Sequence, residues 1–217
     1  MVKNVMEKQE KLQEKCLTRR PWCVKINCCL EAIIMTKKEE VISLASQYIR
    51  DVPGFPKPGV TFKDIVPVFE HPEYFVKVFE VMVEELEKNN IQFDKIICPE
   101  ARGFLFGPGI GLKMNKGVVL ARKPGKLPCP GVSYSYDLEY GSETLEISKD
   151  SIKPGERFLV VDDLLATGGS GKAVCNLVEQ CGGEVAGVLF YIELTPLNGR
   201  KMFGNCPVIS IVPIDAY

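Results

Sequence analysis

The chain has 217 residues, of which 46% are hydrophobic and 25% are charged. These fractions are typical of a globular protein, and the length predicts one domain, or one domain with a short extension. The 27 basic residues against 28 acidic ones leave a net charge of -1, which argues against a general attraction to nucleic acid or to an anionic membrane. Any phosphate binding must therefore come from a local arrangement of residues.

The first 34 residues are richer in basic side chains than the rest of the chain. We expect residues 1–34 to form a poorly ordered extension and residues 35–217 to form the domain; a basic arm for docking or targeting is the alternative. The amino terminus is charged and lacks a hydrophobic signal core, so a cytoplasmic protein is expected. The nine cysteines are then expected to be free thiols.

From Met35 onward, helical and extended patterns alternate along the chain. Apolar residues at helical spacing predict a helix behind Thr36. The segment 51–62 is rich in proline and glycine, which neither a helix nor a central strand tolerates, and it is therefore predicted to be a loop or coil. A second helix is predicted over 75–86, and FDKIICPE (93–100) reads as a short buried strand.

The second half of the chain continues this rhythm with β-branched, apolar runs that predict buried strands. These runs are KGVVLAR (116–122), RFLVVDD (157–163), EVAGVLFYIEL (184–194) and PVISIVPI (207–214). Helical patterns at 107–115 and 170–181 lie between them. The alternation predicts an α/β fold with a central parallel sheet flanked by helices.

The segment VVDDLLATGGS (160–170) concentrates the candidate chemistry. A strand is expected to end on Asp162 and Asp163, followed by a loop of small residues and then a helix. In open α/β sheets ligands bind at the carboxyl ends of strands, and free N–H groups at a helix amino terminus hold phosphate. The pattern therefore predicts a phosphorylated sugar, with phosphate on the loop and hydroxyls on the carboxylates. An ordinary strand-to-helix turn is the alternative that spacing alone leaves open.

Two other glycine-rich strings do not fit nucleotide-binding motifs. GGSGK (168–172) is followed by Ala173, where a P-loop requires Ser or Thr, and GPGIG (107–111) has Leu112 where the dinucleotide motif requires its third glycine. The chain also has a single histidine, His71, so general acid or base chemistry is expected from carboxylates, tyrosines or lysines.

VVDDLLATGGS resembles the ribose-5-phosphate loop of the type I phosphoribosyltransferases, with Ser170 in place of the threonine often found there. Three further segments, in the expected order, are similar to the adenine phosphoribosyltransferases of that family. They are FPKPGVTFKDI (55–65), PEARGFLFGP (99–108) and RKPGKLPCPGVSYSYDLEYGSETLEI (122–147). The resemblance covers residues 35–217 and implies the type I phosphoribosyltransferase fold, with a small N-terminal hood and a mobile β-hairpin lid.

The resemblance implies transfer of ribose 5-phosphate from phosphoribosyl pyrophosphate to N9 of adenine, which gives AMP and pyrophosphate in purine salvage. It implies Mg²⁺ as cofactor, held mainly by the substrate and without direct protein ligands, and a homodimer. Asp162 and Asp163 would bind the ribose hydroxyls. The 5′-phosphate would be bound by Ala166, Thr167, Gly168, Gly169 and Ser170.

The same resemblance assigns the pyrophosphate and adenine sites. Pyrophosphate would be bound by Glu100, Ala101, Arg102, Arg122, Lys126 and Tyr140, with Lys126 and Arg122 reaching across from a partner subunit. Adenine would lie between Phe62 and Leu164, with its Watson–Crick edge read by the backbones of Thr61 and Lys63. Without the resemblance, Phe62 would be assigned to the core as an ordinary aromatic residue.

VSYSYDLEYG (132–141) alternates along its length and predicts a small hairpin. The resemblance implies a lid that excludes water, whereas the bare pattern also fits a solvated ribbon at the edge of a sheet. Glu139 would then face the purine as the catalytic residue, and its protonated carboxyl would donate to N7 of adenine.

Two other functions stay open at this point. A phosphoribosyltransferase for xanthine, orotate or another nucleobase would share the sugar site. A regulator that senses phosphoribosyl pyrophosphate without catalysis would need a DNA-binding domain, for which 34 residues without a helix-turn-helix pattern are too few. Nucleic acid and membrane are therefore not expected as partners.

Overall fold

A computed structural model of the chain describes residues 36–137 and 142–215. The predicted extension at 1–34 lies outside these residues, and so do Glu139 and Tyr140. The expected domain boundary at residue 35 therefore stays a prediction.

The N-terminal part combines helices with a short antiparallel ribbon. Its elements are α1 (Lys37–Tyr48), β1 (Arg50–Pro53), β2 (Thr61–Asp64), α2 (Val66–Glu70) and α3 (Pro72–Lys88). The segment 51–62 was expected to be a loop or coil throughout. It is a turn only in its middle, whereas its two ends belong to β1 and β2, so the prediction was wrong at both ends. The two ends pair as antiparallel strands, and two ion pairs cross the ribbon: Arg50 contacts Asp64 at 2.5 Å, and Lys63 contacts Asp51 at 2.8 Å.

The predicted strands form one parallel sheet with the order β4-β3-β7-β8-β9. They are β3 (Lys95–Pro99), β4 (Gly117–Ala121), β7 (Arg157–Leu165), β8 (Glu184–Leu194) and β9 (Val208–Ile214). The helices between them are α4 (Gly103–Met114) and α5 (Gly169–Gln180). β7 continues past its predicted end, because Leu164 and Leu165 still pair with the longer β8.

The sheet separates two hydrophobic layers. Along β7, Leu159 and Val161 face the layer covered by α1, α3 and α4, whereas Phe158 and Val160 face the layer covered by α5. This alternation follows from the two-residue period of a strand. The central strands are thus buried on both faces, as their continuous apolar runs predict.

The predicted hairpin consists of β5 (Gly131–Asp137) and β6 (Ser142–Ser148). Its inner face is buried: Leu145 and Ile147 belong to the layer of α5, and Asn176 of α5 donates to the Tyr134 hydroxyl at 2.7 Å. The described part of the hairpin is therefore packed on α5, unlike a solvated ribbon.

Within the described residues, no helix combines the length and apolar character needed to cross a bilayer. The cysteines of this part of the chain, Cys98, Cys129, Cys175, Cys181 and Cys206, are free, which matches the expectation of free thiols.

A pair of buried tyrosines connects α3 with the centre of the sheet. The Tyr74 hydroxyl donates to the carbonyl of Val41 at 2.9 Å and lies 3.0 Å from the hydroxyl of Tyr191 on β8. Both side chains are almost completely buried. Burial raises the pKa of Tyr74 to about 12 and raises the pKa of Tyr191 further, so both hydroxyls stay protonated at neutral pH. Neutral hydrogen bonds thus join α1, which contains Val41, to α3 and β8.

We predict that Tyr74→Phe lowers the free energy of unfolding by about 1–3 kcal/mol, because it removes the bond to the Val41 carbonyl and leaves the Tyr191 hydroxyl buried without its partner. Tyr191→Phe should cost less, since Tyr74 still bonds to Val41. The double variant should be more stable than Tyr74→Phe alone, because it leaves no unpaired hydroxyl. Urea unfolding of the three variants measures these differences; additive losses in the double variant would contradict the pairing.

Candidate active site

A cavity of about 160 Å³ opens at the carboxyl ends of β3 and β7. It is lined by Pro99, Glu100, Ala101, Arg102, Lys123, Tyr136, Glu143, Leu145, Asp162, Asp163 and Ser170. The site therefore brings together the predicted ribose carboxylates, the residues that follow β3 and one residue of the phosphate loop. The parallel pairing of β3 with β7 produces this arrangement, because it places the ends of both strands side by side.

The predicted ribose carboxylates are buried in β7. Asp162 is 6% exposed and Asp163 is 2% exposed. Asp162 accepts the backbone N–H of Asp163 at 2.9 Å and the hydroxyl of Ser170 at 3.4 Å. Burial, together with the charge of Asp163, raises the pKa of Asp162 well above its ordinary value. Burial also raises the pKa of Asp163, although Arg102 opposes that shift.

Arg102 connects the sugar carboxylates to the predicted base site. Its Nε lies 3.0 Å from Oδ2 of Asp163, and its guanidinium carbon lies 5.0 Å from the centre of the Phe62 ring. The ion pair is close but not aligned as a hydrogen bond, so Oδ2 of Asp163 and Nη1 of Arg102 are buried polar atoms without a hydrogen-bond partner. Unpaired buried groups of this kind are costly in a folded protein, and both are available to a ligand.

The other predicted pyrophosphate-binding cations gather around Glu100. Nε of Arg122 lies 3.1 Å from Glu100, the ammonium of Lys126 contacts the same carboxylate, and the backbone N–H of Lys123 donates to it at 3.0 Å. The bond from Lys126, followed by that from the Lys123 backbone, lowers the pKa of Glu100 to about 2. Glu100 therefore holds the basic side chains of its own chain in place as an anion.

The predicted phosphate loop runs from the end of β7 into α5. Gly168 precedes α5 with a φ of 90°, and no side chain caps the helix. The first backbone N–H groups of a helix have no partner within it, so they are available to an anion. Ser170 in the first turn also bonds to Asp162, which joins the phosphate loop to the ribose carboxylates.

The predicted adenine residues lie beside the cavity and do not line it. Thr61, Phe62 and Lys63 belong to β2, and Leu164 lies near the end of β7. The Lys63 ammonium is occupied by Asp51, which agrees with a role for its backbone alone. The ring of Phe62 is covered by the guanidinium group of Arg102, which lines the cavity.

Lys123, Tyr136 and Glu143 line the cavity although the sequence analysis did not assign them to it. The Tyr136 hydroxyl donates to Glu143 at 2.9 Å, and Lys123 contacts Glu143 at 3.2 Å. Burial and the bond to Glu143 raise the pKa of Tyr136. The alternation of β5 indicated the face of Tyr136, but only the register that pairs Tyr136 with Glu143 brings the three residues together.

Acidic and basic side chains meet in ion pairs around the site, as Arg102 does with Asp163 and Lys126 with Glu100. Buried carboxylates suit hydroxyl groups or a developing positive charge, and the basic side chains with free N–H groups suit phosphates. Among residues 36–137 and 142–215, no group of three or more His, Cys, Asp and Glu residues could hold a metal ion by itself. The arrangement fits a ligand that carries both hydroxyls and phosphates.

Comparisons with known proteins agree with this chemistry. The family model described as phosphoribosyl transferase domain matches residues 68–194. The adenine phosphoribosyltransferase of Rubrobacter xylanophilus is 46% identical over 179 residues, which are 82% of this chain and 96% of the relative.

Solved structures of similar proteins have the same fold. The crystal structure of adenine phosphoribosyltransferase from Thermoanaerobacter pseudethanolicus aligns with a TM-score of 0.76 and 45% identity, covering 82% of this chain and 99% of that one. The enzyme from Saccharomyces cerevisiae, solved with adenine and an imino-altritol bisphosphate, aligns with a TM-score of 0.75 and 36% identity, covering 80% and 99%.

The matched domain, together with the parallel sheet and the site at the carboxyl ends of its strands, defines this chain as a member of the phosphoribosyltransferase family. Within that family it belongs to the adenine phosphoribosyltransferases, since it covers nearly the whole length of relatives that carry this name. The predicted family and fold are thereby confirmed.

We predict that Asp162→Asn makes the protein more stable and less active. The raised pKa of Asp162 means that folding disfavours its ionised form, so the carboxylate costs stability above its ordinary pKa of 3.8. The amide keeps the bonds to Asp163 and Ser170 without the charge, and should add about 1 kcal/mol at pH 7.

Thermal unfolding between pH 2.5 and pH 8 tests the direction of this effect. The advantage of Asp162→Asn should grow as the pH rises above the ordinary pKa of 3.8 and vanish well below it, where the carboxyl group is protonated in both the folded and the unfolded state. Turnover should fall at every pH. A variant that is less stable at pH 7, or fully active, would contradict the assignment.

Proposed function

We propose that this chain transfers ribose 5-phosphate from phosphoribosyl pyrophosphate to N9 of adenine, giving AMP and pyrophosphate. The proposal rests on one juxtaposition: buried Asp162 and Asp163 share a cavity with Arg102 and with Ser170 of the phosphate loop. A single ligand with a ribose, a 5′-phosphate and a pyrophosphate would use all of these groups at once.

In this proposal the loop Ala166–Ser170 binds the 5′-phosphate through the free N–H groups at the start of α5. Asp162 and Asp163 bind the ribose hydroxyls. Positive charge develops on the ribose as the bond from C1′ to pyrophosphate stretches. The carboxylates stabilise that charge more in the transition state than in the ground state, which is the requirement for catalysis.

The leaving pyrophosphate needs charge of the opposite sign. We assign it to the backbone of Glu100 and Ala101 and to the side chains of Arg102, Arg122 and Lys126. In the structure Arg122 and Lys126 contact Glu100 of their own chain, so they would have to leave Glu100 to bind pyrophosphate in a partner subunit, as the resemblance implies. Arg102 would turn from Asp163 towards the new anion.

The site also fits Mg²⁺, which is usually bound by one or two carboxylates together with substrate phosphates. The buried Oδ2 of Asp163 lacks a hydrogen-bond partner and would accept a hydrogen bond from a ribose hydroxyl that coordinates the metal. When bound, Mg²⁺ would neutralise charge on the leaving pyrophosphate. Asp162 and Asp163 would hold it through the ribose hydroxyls, and most of its ligands would come from the substrate.

Adenine is proposed to stack between Phe62 and Leu164, with the backbones of Thr61 and Lys63 at its Watson–Crick edge. Arg102 covers one face of Phe62 and would uncover it when it turns to pyrophosphate. The cross-strand ion pair of Lys63 with Asp51 keeps β2 in place for this contact.

The tip of the hairpin is proposed to carry the remaining groups. Glu139, in its protonated form, would donate to N7 of adenine, and Tyr140 would contact pyrophosphate. In the sequence they come two and three residues after the end of β5 at Asp137, and Tyr136 of that strand lines the cavity. Closure of this tip would exclude water from the activated sugar.

The active form is proposed to be a homodimer in the cytosol. The outer face of α4 supports the dimer: Leu112 is 86% exposed and Leu105 is 45% exposed, and exposed apolar side chains grouped on one helix are typical of an interface. α4 begins directly after Arg102, so a second subunit on this face would lie next to the site.

Turnover of different bases tests the proposed reaction. With phosphoribosyl pyrophosphate and Mg²⁺, we expect AMP from adenine, with kcat/KM at least about a hundredfold above that for xanthine or orotate. The variant Asp162→Asn/Asp163→Asn, with an intact fold by circular dichroism, is the matched control and should lose most turnover. Preference for xanthine or orotate, or no product with any base, would overturn the proposal.

The role of Glu139 gives a separate prediction. Glu139→Leu should lower turnover by roughly a hundredfold or more, because it removes the acid while keeping the bulk. Glu139→Gln should be milder, since its amide can still donate to N7. Both should bind phosphoribosyl pyrophosphate like the wild type in calorimetry. If the Leu variant uses adenine normally, or loses the sugar substrate instead, another residue activates the base.

A further inference from the structure

A third buried carboxylate, besides Asp162 and Asp163, lies near the carboxyl edge of the sheet but does not line the cavity. Glu193, near the end of β8, is 6% exposed. It accepts hydrogen bonds from Nε of Arg200 at 2.7 Å, from Nη2 of Arg200 at 2.6 Å and from the hydroxyl of Ser210 at 2.5 Å. Burial alone would raise the pKa of Glu193, but the bonds from Arg200 and Ser210 outweigh it and lower the pKa. Glu193 is therefore an anion fixed by its partners.

All three nitrogens of the Arg200 guanidinium group donate hydrogen bonds in this network. Besides its two bonds to Glu193, it donates through Nη1 to the carbonyl of Val208 at 2.6 Å and through Nη2 to Ser210 at 2.7 Å. Arg200 belongs to the 3₁₀ segment Gly199–Phe203, whereas its partners belong to β8 and β9. The network thus ties this short segment to the ends of two strands.

The same segment lies directly against the phosphate loop. A Cβ atom on Gly199 would lie 2.2 Å from the carbonyl oxygen of Ala166 and 3.1 Å from the carbonyl carbon of Thr167. From the other side, a Cβ on Gly168 would lie 2.7 Å from the carbonyl oxygen of Gly199. Backbone is in contact with backbone here, so Gly199 limits how far the loop can move towards the 3₁₀ segment.

We propose that Glu193, Arg200 and Ser210 are positioning residues for the 5′-phosphate loop. They act through Gly199, which supports Ala166–Gly168 on the side away from the phosphate. Backbone N–H groups bind an anion well only when they are already oriented for it. The inference rests on the proposed function, because it assigns the 5′-phosphate to this loop, and it predicts a defect specific to the sugar substrate.

Variants of the 3₁₀ segment test this support. Arg200→Met removes the ion pair, Arg200→Lys keeps the charge but not the forked geometry, and Gly199→Ala inserts a methyl group between segment and loop. Lys201→Ala is the matched control, since Lys201 is exposed in the same segment. For each protein, calorimetry with phosphoribosyl pyrophosphate and Mg²⁺ gives the dissociation constant. Steady-state kinetics at saturating phosphoribosyl pyrophosphate give kcat and the KM for adenine.

We expect Arg200→Met and Gly199→Ala to weaken binding of phosphoribosyl pyrophosphate by about tenfold or more, the effect of one lost charge-assisted hydrogen bond. The dissociation constant of Arg200→Lys for phosphoribosyl pyrophosphate should lie between those of these variants and that of the wild type. Lys201→Ala should match the wild type, and the KM for adenine should stay nearly constant throughout. This split between the two substrates would not arise from a general loss of structure.

If Arg200→Met fails to fold, Arg200→Lys and Gly199→Ala decide the matter. Folded variants that bind phosphoribosyl pyrophosphate like the wild type, or that lose adenine and sugar substrate equally, would overturn the inference. A wild-type protein that neither binds phosphoribosyl pyrophosphate nor forms AMP would overturn the proposed function, and the inference with it.

Discussion

The burial of two adjacent carboxylates in the middle strand of the sheet is the constraint on which the rest of the site depends. Asp162 and Asp163 lie on β7, the middle strand, and are almost completely buried, so water solvates them poorly. An ionised pair in such a place is costly unless other groups compensate for it. Ser170 and Arg102 supply part of that compensation, and one oxygen of Asp163 is left unpaired. The protein thus gives up stability at the place where the proposed substrate would restore it, a common trade-off at functional sites.

Ion pairs in the surrounding elements hold the charged groups of the site in place. Glu100 fixes Arg122 and Lys126 at the end of β3, on the side proposed for pyrophosphate. The 3₁₀ segment around Gly199 packs against the backbone of the phosphate loop, and its own position depends on Arg200 and Glu193. In both places an ion pair outside the reacting centre orders groups that would otherwise adopt many conformations. Such preorganisation is the main contribution that a protein scaffold makes to charge stabilisation.

Most of the fold follows from local patterns in the sequence. The β-branched runs predicted every strand of the parallel sheet, because strands buried on both faces need continuous apolar sequence. The errors occur where non-local contacts decide the structure. The ends of segment 51–62 pair with each other as a ribbon that two ion pairs cross, and β7 is longer than predicted because it pairs further with β8. Lys123, Tyr136 and Glu143 were missed in the cavity for the same reason, since the register of the hairpin brings them there.

The sequence by itself determined the α/β class, the order of the elements and the acidic pair followed by a phosphate loop, because each depends on residues that are neighbours along the chain. Its resemblance to known enzymes also identified the family. Only the tertiary structure decided which charges meet: Arg102 with Asp163, Lys126 with Glu100, and Arg200 with Glu193. Long side chains on loops can reach many partners, and the packing of the strands and helices beneath them selects one.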